Sequence, residues 1–263
     1  MTNPPLLSVD GLRVTFPVRG SLRRSRFAAV EGASLTVEEN EIVAVVGESG
    51  SGKTTVARCV VGLQRADAGV MTFAGSPLPA RRTAELRRAI QMVFQDPRSS
   101  LNPRMRVGAI VDEAWSMHPS VAPPGPRADA IVAALADVGL EPDVADRYPA
   151  QLSGGQCQRV SLARALALEP RLIVCDEAVS ALDVSVQAQV LRLLLELRTT
   201  RRLSMLFISH DLGVVHQIAD RVVVMRQGRI VEEGTADAVF SAPSHEYTRA
   251  LLDAALELND LGT

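Results

Sequence analysis

The stretch Glu41-Ile-Val-Ala-Val-Val46, apolar after its first residue and followed at once by Gly47-Glu48-Ser49-Gly50-Ser51-Gly52-Lys53-Thr54, constrains this chain more than any other feature. Apolar residues that run on without alternating predict a strand buried on both faces. The eight residues after it match G-x-x-x-x-G-K-[ST]. Glycines let a backbone fold tightly enough to turn successive N–H groups towards phosphate oxygens. A helix expected from Lys53 to about Leu63 would present its positive N-terminal end to the same anion. Lys53 would reach the β and γ phosphates, and the Thr54 hydroxyl would take a place on Mg²⁺. On the pattern alone, an ordinary glycine turn remains the alternative.

Strand and helix signals alternate along the rest of the chain, which predicts α/β architecture. Strands are expected at Ile90 to Phe94, Leu172 to Cys175, Met205 to Ile208 and Val222 to Met225. The middle third, about 96–165, changes character. Its helical patterns, such as Ala128 to Val138, are broken by Pro119 to Pro126, which reads as an exposed loop. A mostly helical insert inside a parallel-sheet domain follows.

Composition narrows the functional classes. Of 263 residues, 47% are hydrophobic and only 3% aromatic, so a large aliphatic core is expected. A net charge of -2 gives no electrostatic reason to bind nucleic acid. The longest apolar runs are far too short to span a bilayer, and nothing at the N-terminus suggests export. Cys59, Cys157 and Cys175 lie far apart without CxxC spacing, which favours three small buried hydrophobes over a zinc site. Arg23, Arg24 and Arg26 read as a solvated basic loop, with a phosphate or lipid role as the other reading.

Two further motifs carry chemistry. Leu172 to Glu177 is an apolar strand ending in two acids, at the end of a strand where ligands gather in doubly wound sheets. Asp176 is placed to hold Mg²⁺ and Glu177 to orient or deprotonate a water. Alone, such a pair would more simply cap a helix. Leu152-Ser153-Gly154-Gly155-Gln156 opens a helical stretch running to Ala167 and stopped by Pro170, a second set of amides aimed at an anion. One small domain rarely needs two phosphate cradles for one nucleotide.

With these motifs the chain resembles the ATP-binding cassette (ABC) ATPases, from about Leu7 to Leu252. The resemblance implies a P-loop NTPase fold with a mixed sheet, an antiparallel N-terminal portion and a helical subdomain insert. It divides the single ABC ATP-binding domain 1–263 into a RecA-like core at about 7–95 and 166–240, a helical subdomain at about 96–165 and a C-terminal helical tail at about 241–263. It implies that two cassettes meet head to tail, each ATP lying between the phosphate loop of one and the Ser153-Gly154-Gly155-Gln156 signature of the other. ATP would then be bound by Gly47 to Thr54, by Thr55 and by Phe16, which occupies the place of an aromatic ring stacked on adenine; Phe27 competes for that role. Glu177, Gln95 and His210, in Ile208-Ser-His-Asp211, match catalytic positions. Thr54, Gln95 and Asp176 match the Mg²⁺ ligands, and Asp183, in Ser180-Ala-Leu-Asp183, matches a loop at the dimer interface.

Three segments, Gln95 to Arg104, Ala181 to Val190 and His245 to Leu252, are similar to oligopeptide, dipeptide and nickel importers. That resemblance implies an ATPase subunit at the cytoplasmic face of the membrane. Its partners would be a second cassette (itself or a paralogue), two permease subunits and, indirectly, a solute-binding protein. A nickel or metal-chelate importer is the alternative cargo, and a soluble ABC ATPase outside transport is a further alternative. An exporter cassette and a small-molecule kinase fit less of the sequence. Cys157 departs from the basic or polar residue that often follows the signature, which would soften contacts near it. The tail is also shorter than in many peptide-type relatives.

Overall fold

Strand β3 (Ile42–Val46) is buried at all five positions, as its unbroken apolar run predicts. Burying such side chains is worth about 1.5–3 kcal/mol each relative to exposure, enough to make it a central strand. The computed structural model describes residues 4–17, 26–180 and 182–260, with side chains to 255; Arg23, Arg24 and Ala181 lie outside the described residues.

In chain order, β1 (Leu7–Pro17) and β2 (Arg26–Val37) precede β3. Then come α1 (Lys53–Val61), β4 (Ala68–Phe73), β5 (Ser76–Pro77), α2 (Ala84–Ala89), β6 (Ile90–Val93), α3 (Pro97–Ser100), α4 (Val107–Met117), α5 (Arg127–Ala136) and α6 (Gly154–Leu166). The last third holds β7 (Leu172–Asp176), α7 (Val184–Arg201), β8 (Ser204–Ile208), α8 (Leu212–Ile218), β9 (Arg221–Arg226), β10 (Arg229–Thr235), α9 (Ala236–Ser241) and α10 (Glu246–Asp260). The strands and helices expected inside the chain appear within a residue or two, α1 stopping at a left-handed Gly62. The Pro119 to Pro126 segment is less open than expected. It begins with a 3-10 turn at Pro119–Val121, and Val121 to Pro123 are half-buried.

The backbone divides into two compact units, Met1–Arg82 with Ser204–Thr263, and Thr83–Leu203. In the first, β3 pairs in parallel with β8 and β9, and β9 turns back antiparallel to β10. A second, antiparallel sheet runs β2-β1-β4-β5. Leu7, Val9, Leu12 and Val14 of β1 face its buried side, and the alternation slips at Gly11, whose φ of 60° marks a bulge. Thr15 donates to Asp67 from both its amide and its hydroxyl, and Arg26 pairs with the same carboxylate at 3.4 Å.

In the second unit, β6 and β7 pair in parallel, Ile90 opposite Leu172 and Val93 opposite Cys175. The indole of Trp115 on α4 donates to Ala167 O at 2.8 Å, tying α4 to the end of α6. The segment after Gln95 is bolted to the same helix: Arg98 donates to Leu152 O, Ser100 meets Ser161 at 3.1 Å, and Arg164 donates to Ser100 O.

The C-terminal segment is held to β10 by one carboxylate. Glu232 accepts from the amide and hydroxyl of Ser244 and from the amide of His245. Burial alone would raise its pKa, but the Thr248 hydroxyl, together with these bonds from Ser244 and His245, outweighs it and brings the value down to about 2. A carboxylate whose folded-state pKa lies below the ordinary 4.5 contributes stability that is present above that pH and is lost as pH falls towards 2. Thermal unfolding of parent and Glu232→Gln, followed from pH 7 to pH 2, should therefore differ most at neutral pH, the gap closing between about pH 4.5 and 2. A gap independent of pH would contradict this account.

Candidate functional site

The loop between β3 and α1 is a close backbone approach that only glycine permits at two points. A Cβ on Gly47 (φ 144°) would stand 2.1 Å from Met225 O, and one on Gly52 (φ 109°) 2.5 Å from Ala29 O. Gly228 N–H donates to Ser51 O at 2.9 Å, so the β9–β10 turn braces the loop from outside. Lys53 is buried and folds back over the loop, its Nζ donating to Gly47 O at 2.6 Å and to Glu48 O at 2.8 Å. Helix α1 carries no side-chain cap at Gly52 and no acid in its first turn, so nothing of negative charge there opposes an anion at its positive end. Thr54 and Thr55 follow, half-buried. The N–H of Glu48 points away from the loop, donating to the Tyr247 hydroxyl of α10 at 3.1 Å.

Parallel register sets a neighbour beside this loop. Val45 lies opposite Ile208, so two residues on, Gly47 and His210 leave adjacent strand ends. Ser209 is buried and donates its amide to Val45 O, while its Oγ accepts from the Asp211 amide and Asp211 caps α8. His210 itself is exposed.

The second unit repeats the arrangement. Val93 lies opposite Cys175, and two residues beyond this pair Gln95 Nε2 donates to Glu177 Oε2 at 2.8 Å. Asp176 closes β7 and is 6% exposed. Glu177 has a φ of 50°, a left-handed backbone that costs about 1–3 kcal/mol in a residue other than glycine and that clusters at functional sites. The turn is held by Ser180, whose amide and hydroxyl both donate to Glu177 O. Burial pushes the neighbouring Cys175 thiol up to about 12, the Asp176 charge adding to it, so this cysteine is no nucleophile.

The signature begins α6. Ser153 Oγ accepts from Gln156 N and Gln156 Oε1 accepts from Ser153 N, a reciprocal capping box. Gly154 and Gly155 are the first two helical residues, and a Cβ on Gly155 would stand 2.3 Å from Val186 Cγ1 of α7. Val186 is a contact the sequence reading missed; a valine inside a helix carries no signal that it faces a glycine. Cys157 is fully buried with its thiol 3.5 Å from Pro149 O, so it points inward from the signature. Asp183 precedes α7, exposed, beside a Val184 that is 84% exposed.

Phe16 and Phe27, rivals for one role in the sequence, are directly opposed across β1 and β2, at 38% and 58% exposure. Opposed residues share one face of a sheet, so the two rings form one exposed aromatic surface.

Residues 30–180 match the family model described as ABC transporter. Over 258 residues the chain is 47% identical to the oligopeptide transport ATP-binding protein OppF of Salmonella typhimurium, covering 95% of this chain and 77% of that protein. Among solved structures it is similar to cbiO1 of Clostridium perfringens, part of the ABC transporter complex cbiONQ. The TM-score there is 0.76 and the identity 26%, over 99% of this chain and 98% of that one. It is also similar to the ATP-binding cassette MJ0796, a dimer in a post-hydrolysis state with ADP and Pi. The TM-score is 0.75 and the identity 25%, over 88% of this chain and 98% of that one.

Gly47→Ala should be poorly tolerated. Its methyl would meet a backbone oxygen that cannot swing aside, in a conformation L-residues rarely adopt. A drop of about tenfold or more in nucleotide affinity is expected, with a lowered melting temperature. Parental affinity in a titration with a fluorescent nucleotide would count against the loop geometry.

Proposed function

The chain belongs to the ABC transporter family, and from that premise we propose that it is the ATP-hydrolysing subunit of an importer for peptides or a related small solute. The observation that carries the catalytic part is Glu177, held in a left-handed turn at the end of β7 with Gln95 Nε2 on its carboxylate at 2.8 Å. Peptide as cargo is supported by the identity to OppF over most of both chains.

ATP phosphates would lie against the amides from Gly47 to Thr55, with the Lys53 ammonium turned onto the β and γ oxygens. Adenine would stack on Phe16 at the exposed Phe16–Phe27 surface. Glu177 would orient and deprotonate the attacking water, with Gln95 holding its carboxylate in place. His210 would hold the γ-phosphate, and Ser153, Gly154, Gly155 and Gln156 of a second cassette would close over it, the Asp183 loop lying at that interface. Catalysis is then mostly positioning and charge stabilisation.

The donors assigned to Mg²⁺ suit a hard ion, since all are oxygens: the Thr54 hydroxyl, the Asp176 carboxylate and the Gln95 carbonyl, which its amide bond to Glu177 leaves available. When bound, the ion neutralises charge on the phosphates. Functionally, the division into a RecA-like core (about 7–95 and 166–240), a helical subdomain (about 96–165) and a tail (about 241–263) separates nucleotide binding from coupling. The partners are a second cassette, identical or paralogous, and two permease subunits, with a solute-binding protein acting through them. Among the described residues no helix is long and apolar enough to cross a membrane. Attachment to the cytoplasmic face through the permeases follows from this reading.

Glu177→Gln should lower turnover by about 10²–10⁴ while leaving ATP binding intact, and a closed dimer should accumulate with ATP in gel filtration. Turnover at the parental rate would remove Glu177 from its role. In the parent, specific activity should rise with protein concentration, because a monomer holds only half of each site; a constant specific activity on dilution to the monomer would overturn the shared-site reading.

A further inference from the structure

We infer that Tyr247, on the C-terminal helix, is a positioning residue for the phosphate loop, acting through the peptide plane that joins Gly47 to Glu48. The inference rests on that loop being the nucleotide cradle. The plane is held at both ends. Its carbonyl, Gly47 O, accepts from Lys53 Nζ at 2.6 Å, and its amide, Glu48 N–H, donates to the Tyr247 hydroxyl at 3.1 Å. One bond comes from within the loop and the other from a residue 199 positions away. Bonds arranged in series through one amide polarise each other, so the hydroxyl strengthens the grip of the carbonyl on the ammonium. When Lys53 turns to a phosphate, the Tyr247 bond is the one that still fixes the rotation of this plane, and with it the direction of the amides that follow.

The surroundings fit a fixed post. Tyr247 is 6% exposed and packs with Ala44 and Val46 of β3, Val222 and Val224 of β9, and Leu212 and Val215 of α8. The Arg226 guanidinium lies 4.7 Å from its ring centroid, and Arg226 follows Met225, whose carbonyl sets the close approach to Gly47. Burial raises the hydroxyl's pKa above its ordinary value, so it stays protonated and neutral at pH 7. The start of α10 is itself anchored: His245 Nδ1 accepts from the Tyr247 amide, and Glu232 holds Ser244 and His245. The segment His245-Glu-Tyr-Thr thus has a division of labour, histidine capping the helix and tyrosine reaching the loop.

The test compares three variants of the full chain by titration with a fluorescent ATP analogue, melting temperature and steady-state ATPase kinetics. Tyr247→Phe keeps the ring and its packing and removes only the acceptor. It should weaken ATP binding about three- to tenfold and raise KM with kcat nearly unchanged, while melting close to the parent. Ser244→Ala loosens the same helix start without touching the loop, and should lower the melting temperature while leaving ATP affinity at the parental value. Parental affinity in Tyr247→Phe overturns the role, and so does an equal loss in Ser244→Ala, which would make helix stability the cause. Lys53→Ala separates the premise: if it binds ATP normally the cradle reading fails, whereas loss there with no change in Tyr247→Phe removes Tyr247 alone.

Discussion

Hydrogen-bond register between parallel strands is the constraint on which the rest of this molecule depends. A parallel ladder has no turn to set its alignment, so the pairing is set by burial. Here β3 and β8 are buried at every position, and sliding either by one residue would carry apolar side chains out of contact. That alignment puts Gly47 and His210 at neighbouring strand ends, and in the other unit the same logic puts Gln95 within 2.8 Å of Glu177. The side chains to which we assign chemical roles therefore sit on loops whose starting points are set by backbone geometry.

Helix α1 shows how such a loop is completed. Its first end begins at Gly52, which supplies no side-chain cap, and carries no acid in its first turn. Its last end is closed by Arg82, which is buried and donates to Cys59 O at 2.6 Å and Val60 O at 2.9 Å. A cation on the closing carbonyls complements the helix dipole, leaving the positive end as the one that seeks a ligand. Cys59, beside it, is buried with its thiol pushed up to about 11, so it adds packing without reactivity.

Much of this was legible in the sequence, and the reason is local. The β3 run, the glycine spacing at 47–52 and the Ser153–Gln156 cap each declare themselves within a few residues. The N-terminal sheet was implied only by resemblance, because the bulge at Gly11 breaks the alternation of β1 that would have marked a strand. The contact of Glu48 with Tyr247 and that of Gln95 with Glu177 join residues 199 and 82 positions apart, and no periodicity encodes either. The Pro119 segment reads as open loop in the sequence because prolines rule out helix, but they do not rule out a 3-10 turn packed along its inner side.

The contact of Gly155 with Val186 has a mechanical meaning. With a methyl's clearance missing, the first turn of α6 cannot slide along α7 without a collision. The first turns of the two helices are therefore set in one register, the signature at the head of α6 seated against Val186 near the head of α7.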